Sequence, residues 1–214
     1  VDAQNGYNLV LNIDQRIQHI LEKYLDEGVA NNEVANRATG IIMNVKTGAI
    51  LALAVSGDYD PNDPWIITDT QALEEIEKLT DEKEKQEATL DALYTQWRNK
   101  AVSDTYYPGS VFKMVTASMA LEENIVNEST PFHCSGNIVP VEGERAINCW
   151  RLAGHGDQTF TEAVCNSCNP VFVQMGLELG PETFYNYFKA FGLTERTGID
   201  LPGEQVGQIR ASDT

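Results

Sequence analysis

The chain has 214 residues, 42% of them hydrophobic, which is enough for one substantial folded domain with a hydrophobic core. Its 32 acidic and 15 basic side chains give a formal net charge of −17. That charge argues against nucleic acid as a partner, because phosphate binding requires clustered lysine and arginine side chains. The sequence also predicts no membrane-spanning segment, since no apolar stretch reaches about 18 residues.

The first third of the chain predicts a strand, a helix and a hairpin. Residues 7–14 alternate apolar and polar side chains, as a half-buried strand does. The apolar periodicity that follows predicts a helix with Asp14 as its N-cap and Gly28 as its stop. Two apolar runs joined by Lys46–Thr47–Gly48 predict a β-hairpin. These elements together indicate an α/β or α+β fold with antiparallel sheet.

Residues 66–100 are predicted to be a charged helical segment within the same domain. The centre of this segment is a mixture of glutamate, aspartate and lysine, which predicts a solvated helix face or a mobile segment without chemistry. Near its end, apolar residues at helical spacing predict packing against the core; they are Leu90, Leu93, Tyr94 and Trp97.

A serine and a lysine three positions apart, Ser110 and Lys113, open an apolar run that predicts a buried helix. Residues at this spacing share a helix face, and Gly109 permits a sharp turn that leaves Ser110 in the first turn. Free N–H groups there favour an oxyanion, while burial lowers the pKa of Lys113 toward that of a usable base. Taken alone, the pattern is better explained by an N-cap serine and a lysine that reaches solvent.

A second short motif, Ser167–Cys168–Asn169, changes this interpretation. The helical pattern around it is broken at Asn169–Pro170, where side chains can project into a cleft. Ser-x-x-Lys followed by Ser-x-Asn, with Lys-Thr-Gly as a third motif, is the signature of penicillin-binding proteins and serine β-lactamases.

The segments YYPGSVFK, INCWRLAGHG and EAVCNSCNPVF closely resemble the transpeptidase domain of class B penicillin-binding proteins. The segments NIDQRIQ, VKTGAILALA and FGLTERTGIDLPGE extend the resemblance over nearly the whole chain, and the elongation- and sporulation-type members are the most similar. The resemblance implies a serine β-lactamase-like transpeptidase fold, with a helical subdomain and part of an antiparallel sheet. Residues 1–214 are accordingly interpreted as a partial transpeptidase domain.

The resemblance also implies a role for each motif residue. Ser110 would be the nucleophile that becomes acylated, and Lys113 would be its general base. Ser167 would relay a proton between the base and the leaving amine, and Asn169 would hydrogen-bond the peptide backbone of the substrate. The implied reaction attacks the D-Ala–D-Ala bond of a peptidoglycan stem peptide and passes the acyl group to an amine on a neighbouring strand. β-Lactams would acylate the same serine.

An enzyme of this kind would serve cell-wall synthesis and cell shape at the outer face of the cell membrane, with its anchor outside this chain and a membrane glycosyltransferase as partner. A β-lactam-sensing domain and a serine β-lactamase are the alternatives, because they share the Ser-x-x-Lys nucleophile. The segment INCWRLAGHG and the acidic helical insert resemble neither alternative.

The third motif of the family has a false match in this chain. Lys46–Thr47–Gly48 precedes Ser110 and falls in the predicted hairpin turn, where glycine favours a tight turn. No Lys-Thr-Gly follows Asn169 up to Thr214. We therefore expect the chain to end before the strands that carry this motif and one oxyanion-hole amide, and to be inactive by itself.

The cysteines cluster within 35 residues, together with His133 and His155; they are Cys134, Cys149, Cys165 and Cys168. The residues alone leave disulfides, inert buried thiols and a zinc site open. Resemblance to a zinc site of some elongation-type members favours structural zinc. The ligands implied in this way are Cys134, Cys149, His155 and Cys168. Cys165 or His133 could replace one of them.

Overall fold

The computed structural model describes residues 6–34 and 38–208, and it places them in two compact units. The first unit contains the described residues up to Asp104 together with Leu201–Gln205, and the second contains Thr105–Asp200 and the described residues from Val206. Throughout these residues helices alternate with antiparallel two-stranded sheets, which confirms the predicted mixed class. No described helix has the length and apolarity needed to cross a membrane.

The first unit begins with helix α1 (Gln15–Asn31) packed on an antiparallel hairpin, β1 (Thr39–Met43) and β2 (Ile50–Val55). The carboxylate of Asp14 accepts hydrogen bonds from two backbone N–H groups of the first turn, as predicted for an N-cap. The hairpin is also confirmed: Lys46–Thr47–Gly48 forms its turn, with Gly48 in the left-handed region at φ +74°.

Two predictions for the N-terminal region are wrong. Residues 7–11 are exposed and form no strand with any described residue, because an alternating pattern does not by itself supply the partner strand that hydrogen bonds require. Helix α1 also continues past Gly28 to Asn31. A glycine inside a helix costs only about 1 kcal/mol relative to alanine, so it need not end one.

The charged segment 66–100 contains two helices, α2 (Thr70–Lys78) and α3 (Glu82–Trp97), and α4 (Lys100–Ser103) follows. Asp69 and Asp81 cap the first two helices through their carboxylates. A small hydrophobic cluster holds this pair together, and its buried members are Ile67, Ile76 and Leu93. The predicted packing of Leu93 and Trp97 is confirmed, whereas Leu90 and Tyr94 are exposed.

The second unit opens with a 3-10 turn (Gly109–Phe112) that leads into helix α5 (Lys113–Glu122). Four short strands follow and pair in two antiparallel sheets, β3 (Pro131–Cys134) with β6 (Gly156–Thr159) and β4 (Asn137–Ile138) with β5 (Ile147–Asn148). The unit closes with α6 (Phe160–Cys165) and α7 (Asn169–Ala190), the latter kinked at Gly180.

The core of the second unit lies where α5 packs against α7 and the short strands. Its largest fully buried side chains are Met175 and Val171, together with three cysteines. Helix α5 buries only one face, although its apolar composition predicted burial on every side: within the described residues, Met114 remains 53% exposed.

Candidate active site and metal cluster

Ser110 and Lys113 are brought to the same side of the chain by the 3-10 turn. Gly109 enters this turn at φ +58°, a conformation that residues with a side chain rarely adopt. The backbone N–H of Lys113 donates to the carbonyl of Ser110, and side chains three apart eclipse one another in 3-10 geometry. The predicted shared face is therefore present, but it arises from a 3-10 turn rather than from an α-helical one.

The Ser167–Cys168–Asn169 turn joins two helices. Helix α6 starts at a capping box between Thr159 and Glu162 and ends at Cys165, and α7 starts at Asn169. The helix break thus lies just before the predicted Asn169–Pro170 step, because proline is tolerated in the first turn of a helix. Ser167 itself adopts φ +47°, which is unusual for a residue other than glycine.

The ammonium group of Lys113 connects the two motifs. Its Nζ donates hydrogen bonds to the Ser167 carbonyl oxygen at 2.7 Å, to Ser167 Oγ at 2.9 Å and to Asn169 Oδ1 at 2.6 Å. Three of the four predicted catalytic residues are therefore in direct contact. Ser110 stands nearby in the chain, but no hydrogen bond joins its hydroxyl to Lys113 within the part of the chain described.

Burial lowers the pKa of Lys113 below the usual range of lysines, although coulombic interactions with Cys168 and Cys149 act in the opposite direction. The ring of Phe172, which is itself buried, lies 5.3 Å from Nζ and contributes to this desolvation. A lysine with a lowered pKa can be neutral at a working pH and accept a proton from a hydroxyl.

The side-chain amide of Asn169 also hydrogen-bonds to strand β5. Its Nδ2 donates to the backbone carbonyl of Asn148 on β5 at 2.9 Å, which fixes Oδ1 toward Lys113. Trp150, two residues further on, donates from Nε1 to the Asn166 carbonyl at 2.8 Å. The segment between the two motifs therefore supports the turn that carries Ser167.

The same segment places three thiols and an imidazole together in the core. The potential ligand atoms of Cys134, Cys149, His155 and Cys168 all lie within 4.8 Å of one another, and the three cysteines are buried. Nδ1 of His155 lies 3.4 Å from Cys149 Sγ. Gly154 lets the loop approach this closely, because a Cβ at that position would overlap the carbonyl oxygen of Cys134.

The two alternative ligands lie outside this Cys₃His cluster. Cys165 is exposed at the end of α6 and carries a free thiol. His133 instead contacts Asp157 on the neighbouring strand, with 2.6 Å between Nδ1 and Oδ1.

The pKa values of two thiols in the cluster are shifted in opposite directions. Burial alone would raise the pKa of Cys134, but hydrogen bonds from the backbone and side chain of His155 and from the Gly136 backbone lower it to about 6. Burial raises the pKa of Cys168 to about 11, and its thiol donates toward Cys134. A buried thiolate beside further thiols is a strong ligand for a soft or borderline cation.

Residues 38–213 match the family model of the penicillin-binding protein transpeptidase domain. The chain belongs to this family. Stage V sporulation protein D of Bacillus subtilis is 38% identical over 208 residues, which cover 95% of this chain and 28% of that protein. PbpB of Mycobacterium tuberculosis is 28% identical and FtsI of Escherichia coli, a peptidoglycan D,D-transpeptidase, is 26% identical. The match to PbpB covers 99% of this chain and 27% of PbpB. The match to FtsI covers 96% of this chain and 30% of FtsI.

Two solved structures of proteins named for peptidoglycan synthesis superimpose on this chain. A putative peptidoglycan glycosyltransferase from Atopobium parvulum superimposes with a TM-score of 0.73 at 27% identity, over 99% of this chain and 43% of that one. A peptidoglycan synthetase from Bifidobacterium adolescentis also gives a TM-score of 0.73, at 26% identity, over 99% of this chain and 33% of that one. The chain thus spans less than half of these proteins and about three tenths of its curated relatives.

Sequence reasoning on this penicillin-binding protein domain missed two groups that support its motifs. The Asn148 carbonyl belongs to the backbone, so no pattern of side chains in the sequence predicts its contact with Asn169. Gln158 is buried between Asn166 and Cys168, and a single glutamine before a helix N-cap carries no recognisable signal in the sequence.

Proposed function

We propose that this chain provides the serine, lysine and Ser-x-Asn part of a peptidoglycan D,D-transpeptidase that is also acylated by β-lactams. The observation that carries the proposal is the position of Lys113 Nζ, which bonds Ser167 Oγ and Asn169 Oδ1 one 3-10 turn after Ser110. Relatives such as FtsI, a peptidoglycan D,D-transpeptidase, support the same reaction.

In the first half-reaction, Ser110 Oγ attacks the carbonyl carbon of the D-Ala–D-Ala peptide bond and its proton passes to neutral Lys113. A bond forms between Oγ and the acyl carbon, and the carbon–nitrogen bond of the leaving D-Ala breaks. Ser167, in contact with Lys113, relays a proton to the leaving amine, while Asn169 binds the substrate backbone.

In the second half-reaction, an amine of a neighbouring stem peptide attacks the acyl-enzyme and releases Ser110, which forms the cross-link. Because peptidoglycan lies outside the cytoplasm, we place this reaction at the outer face of the cell membrane. The glycan strands must be polymerised before they are cross-linked, and a membrane glycosyltransferase is therefore the partner we propose.

Acylation by a fluorescent penicillin tests this function on the natural protein that contains the chain. We expect covalent labelling that is abolished by Ser110→Ala and retained by Ser118→Ala, a serine of α5 whose hydroxyl donates to the Met114 carbonyl of its own helix. Absence of labelling in the unmutated protein contradicts the proposal. Rapid deacylation would identify a β-lactamase instead, and unchanged wall cross-linking in a Ser110→Ala strain would identify a sensor.

We further propose that the Cys₃His cluster holds a structural zinc ion. The donor set fits, because zinc prefers four thiolate and imidazole ligands, and tetrahedral bonds of about 2.3 Å place sulfur ligands about 3.8 Å apart. The 4.8 Å spread of the ligand atoms requires only a small contraction. Zinc would fix the segment between the two motifs to the turn at Cys168, without taking part in acyl transfer.

Metal analysis of the purified natural protein tests this second proposal. We expect about one zinc per chain, retained in Cys165→Ser and lost in Cys168→Ser, because only the latter thiol lies in the cluster. An unmutated protein that contains no zinc, or a Cys165→Ser variant that loses it, contradicts the assignment.

A further inference from the structure

Gln158 is a buried polar side chain, 7% exposed, that neither the catalytic motifs nor the metal cluster includes. It lies on β6, and both ends of its amide are used. Nε2 donates to Cys168 Sγ at 3.2 Å, and Oε1 accepts from Asn166 Nδ2 at 3.0 Å. Its two partners are the residues on either side of Ser167.

Ser167 needs such support because its backbone is in the left-handed region, at φ +47°. A residue with a side chain keeps that conformation only where its surroundings impose it. Backbone hydrogen bonds from Ser167 to Val164 and from Cys168 to Ala163 hold the turn to the end of α6. They do not reach the side chains of Asn166 and Cys168, which only Gln158 joins among the described residues.

The conformation of Ser167 matters because two of its atoms accept hydrogen bonds from Lys113 Nζ, the carbonyl oxygen and Oγ. If the turn relaxed to an ordinary backbone conformation, both atoms would move relative to the lysine. The proton route between the two motifs would then lose its geometry.

We propose that Gln158 is a positioning residue, whose amide clamps Asn166 and Cys168 so that Ser167 is held toward Lys113. The same N–H group donates to a sulfur of the metal cluster, as outer-shell groups do around metal sites, so the clamp also links the cluster to the catalytic turn. The inference rests on the proposed transpeptidase function and assigns to it a residue that acts only through others.

Two substitutions remove either one or both of the hydrogen bonds that the Gln158 amide forms. Gln158→Glu keeps the length and the oxygen that accepts from Asn166, but it replaces the N–H donor by an oxygen facing Cys168 Sγ. Gln158→Met keeps the length and removes both hydrogen bonds. Gln174→Glu is the matched control, because this glutamine of α7 lines the same groove as Gln158 and, among the described residues, forms no hydrogen bond with Asn166 or Cys168.

The measurement is stopped-flow acylation of the zinc-containing natural protein by a fluorescent penicillin, resolved into the binding constant and the acylation rate constant. For both Gln158 variants we expect a fall of about 10- to 100-fold in the acylation rate constant, with an unchanged binding constant. Gln174→Glu should match the unmutated protein. Unmutated rates in both Gln158 variants overturn the proposal, as does a loss confined to binding.

Hydrogen exchange of the same proteins decides the question without any catalytic readout. We expect the amides of residues 164–169 to exchange faster in Gln158→Met than in the unmutated protein, and those of α1 to be unchanged. Equal exchange at residues 164–169 overturns the clamp. If the natural protein is not acylated at all, the proposed function fails, and the exchange result alone then supports or overturns the role of Gln158.

Discussion

Lys113 is the residue on which the proposed chemistry depends, because in that mechanism it must be neutral to accept the proton of Ser110. In the resting structure its three acceptors stabilise the ammonium form, while burial lowers its pKa. In the proposed mechanism, the balance between these effects sets the pH at which Lys113 becomes a base.

Acylation by a fluorescent penicillin should therefore rise with pH and reach its plateau below the pKa of an ordinary lysine, about 10.4. The sign follows from the mechanism, since deprotonation of Lys113 creates the base and its pKa is lowered. The measurement is the second-order rate constant across roughly pH 6 to 10.

Lys113→Arg serves as the control for this pH profile. Arginine keeps the positive charge but cannot lose its proton, so the rate should fall at least about 100-fold at every pH. A profile that is flat in the unmutated protein, or that rises only near the ordinary lysine pKa, contradicts the prediction.

The residues that carry chemistry were predictable because their types and spacings are unusual. Ser110, Lys113, Ser167 and Asn169 were named from short motifs, and the structure brings the last three into contact, although their roles remain predictions. The supporting contacts were not predictable. Those of Gln158 and of the Asn148 carbonyl depend on how short strands pack against the start of α7.

Among the elements, the 3-10 turn Gly109–Phe112 positions Ser110, the predicted nucleophile. The turn begins at Gly109, whose backbone is in the left-handed region. No neighbouring atom would meet a Cβ at this position. The requirement for glycine is therefore one of backbone conformation and not of space.

Gly109→Ala should destabilise the protein by about 1 kcal/mol, because a left-handed alanine is strained, and should slow acylation of Ser110. Gly176→Ala is the matched control: this glycine lies inside α7 with open space around it, and the same change should stabilise by about 0.5–1 kcal/mol. Urea unfolding gives both values. Equal stability changes of the same sign would show that Gly109 does not carry the strain described.

Element boundaries were the least predictable part of the fold. The hairpin and the cap at Asp14 follow local rules, and both are present. The end of α1 and the strand expected at residues 7–14 depended on partners that a local pattern does not specify. Helix α5 illustrates the same point, since composition predicts what can be buried but not which face is covered.

For the molecule as a whole, the mixed class and the family follow from the sequence, whereas the division into two compact units does not. Each unit has its own hydrophobic cluster, one around Leu93 and the other around Met175. These clusters form between residues that are distant in the sequence. A periodic pattern predicts which face of a helix is apolar, but not which other element packs against that face.

Truncation of the larger core should measure how much stability it provides. Met175→Ala removes a fully buried side chain and should cost about 2–5 kcal/mol. Met114→Ala, on the exposed face of α5, should change stability by less than about 0.5 kcal/mol. Denaturant unfolding compares the two, and similar losses would contradict the assignment of the core.

The three residues of the Ser167–Cys168–Asn169 turn contact two different sets of atoms. The outer two contact Lys113, and the thiol of the middle one lies in the Cys₃His cluster. The position that the general motif leaves free is therefore constrained here by a second set of atoms. In a mutational scan, we therefore expect substitution of Cys168 to be as damaging as substitution of Ser167 or Asn169, although its thiol belongs to the Cys₃His cluster.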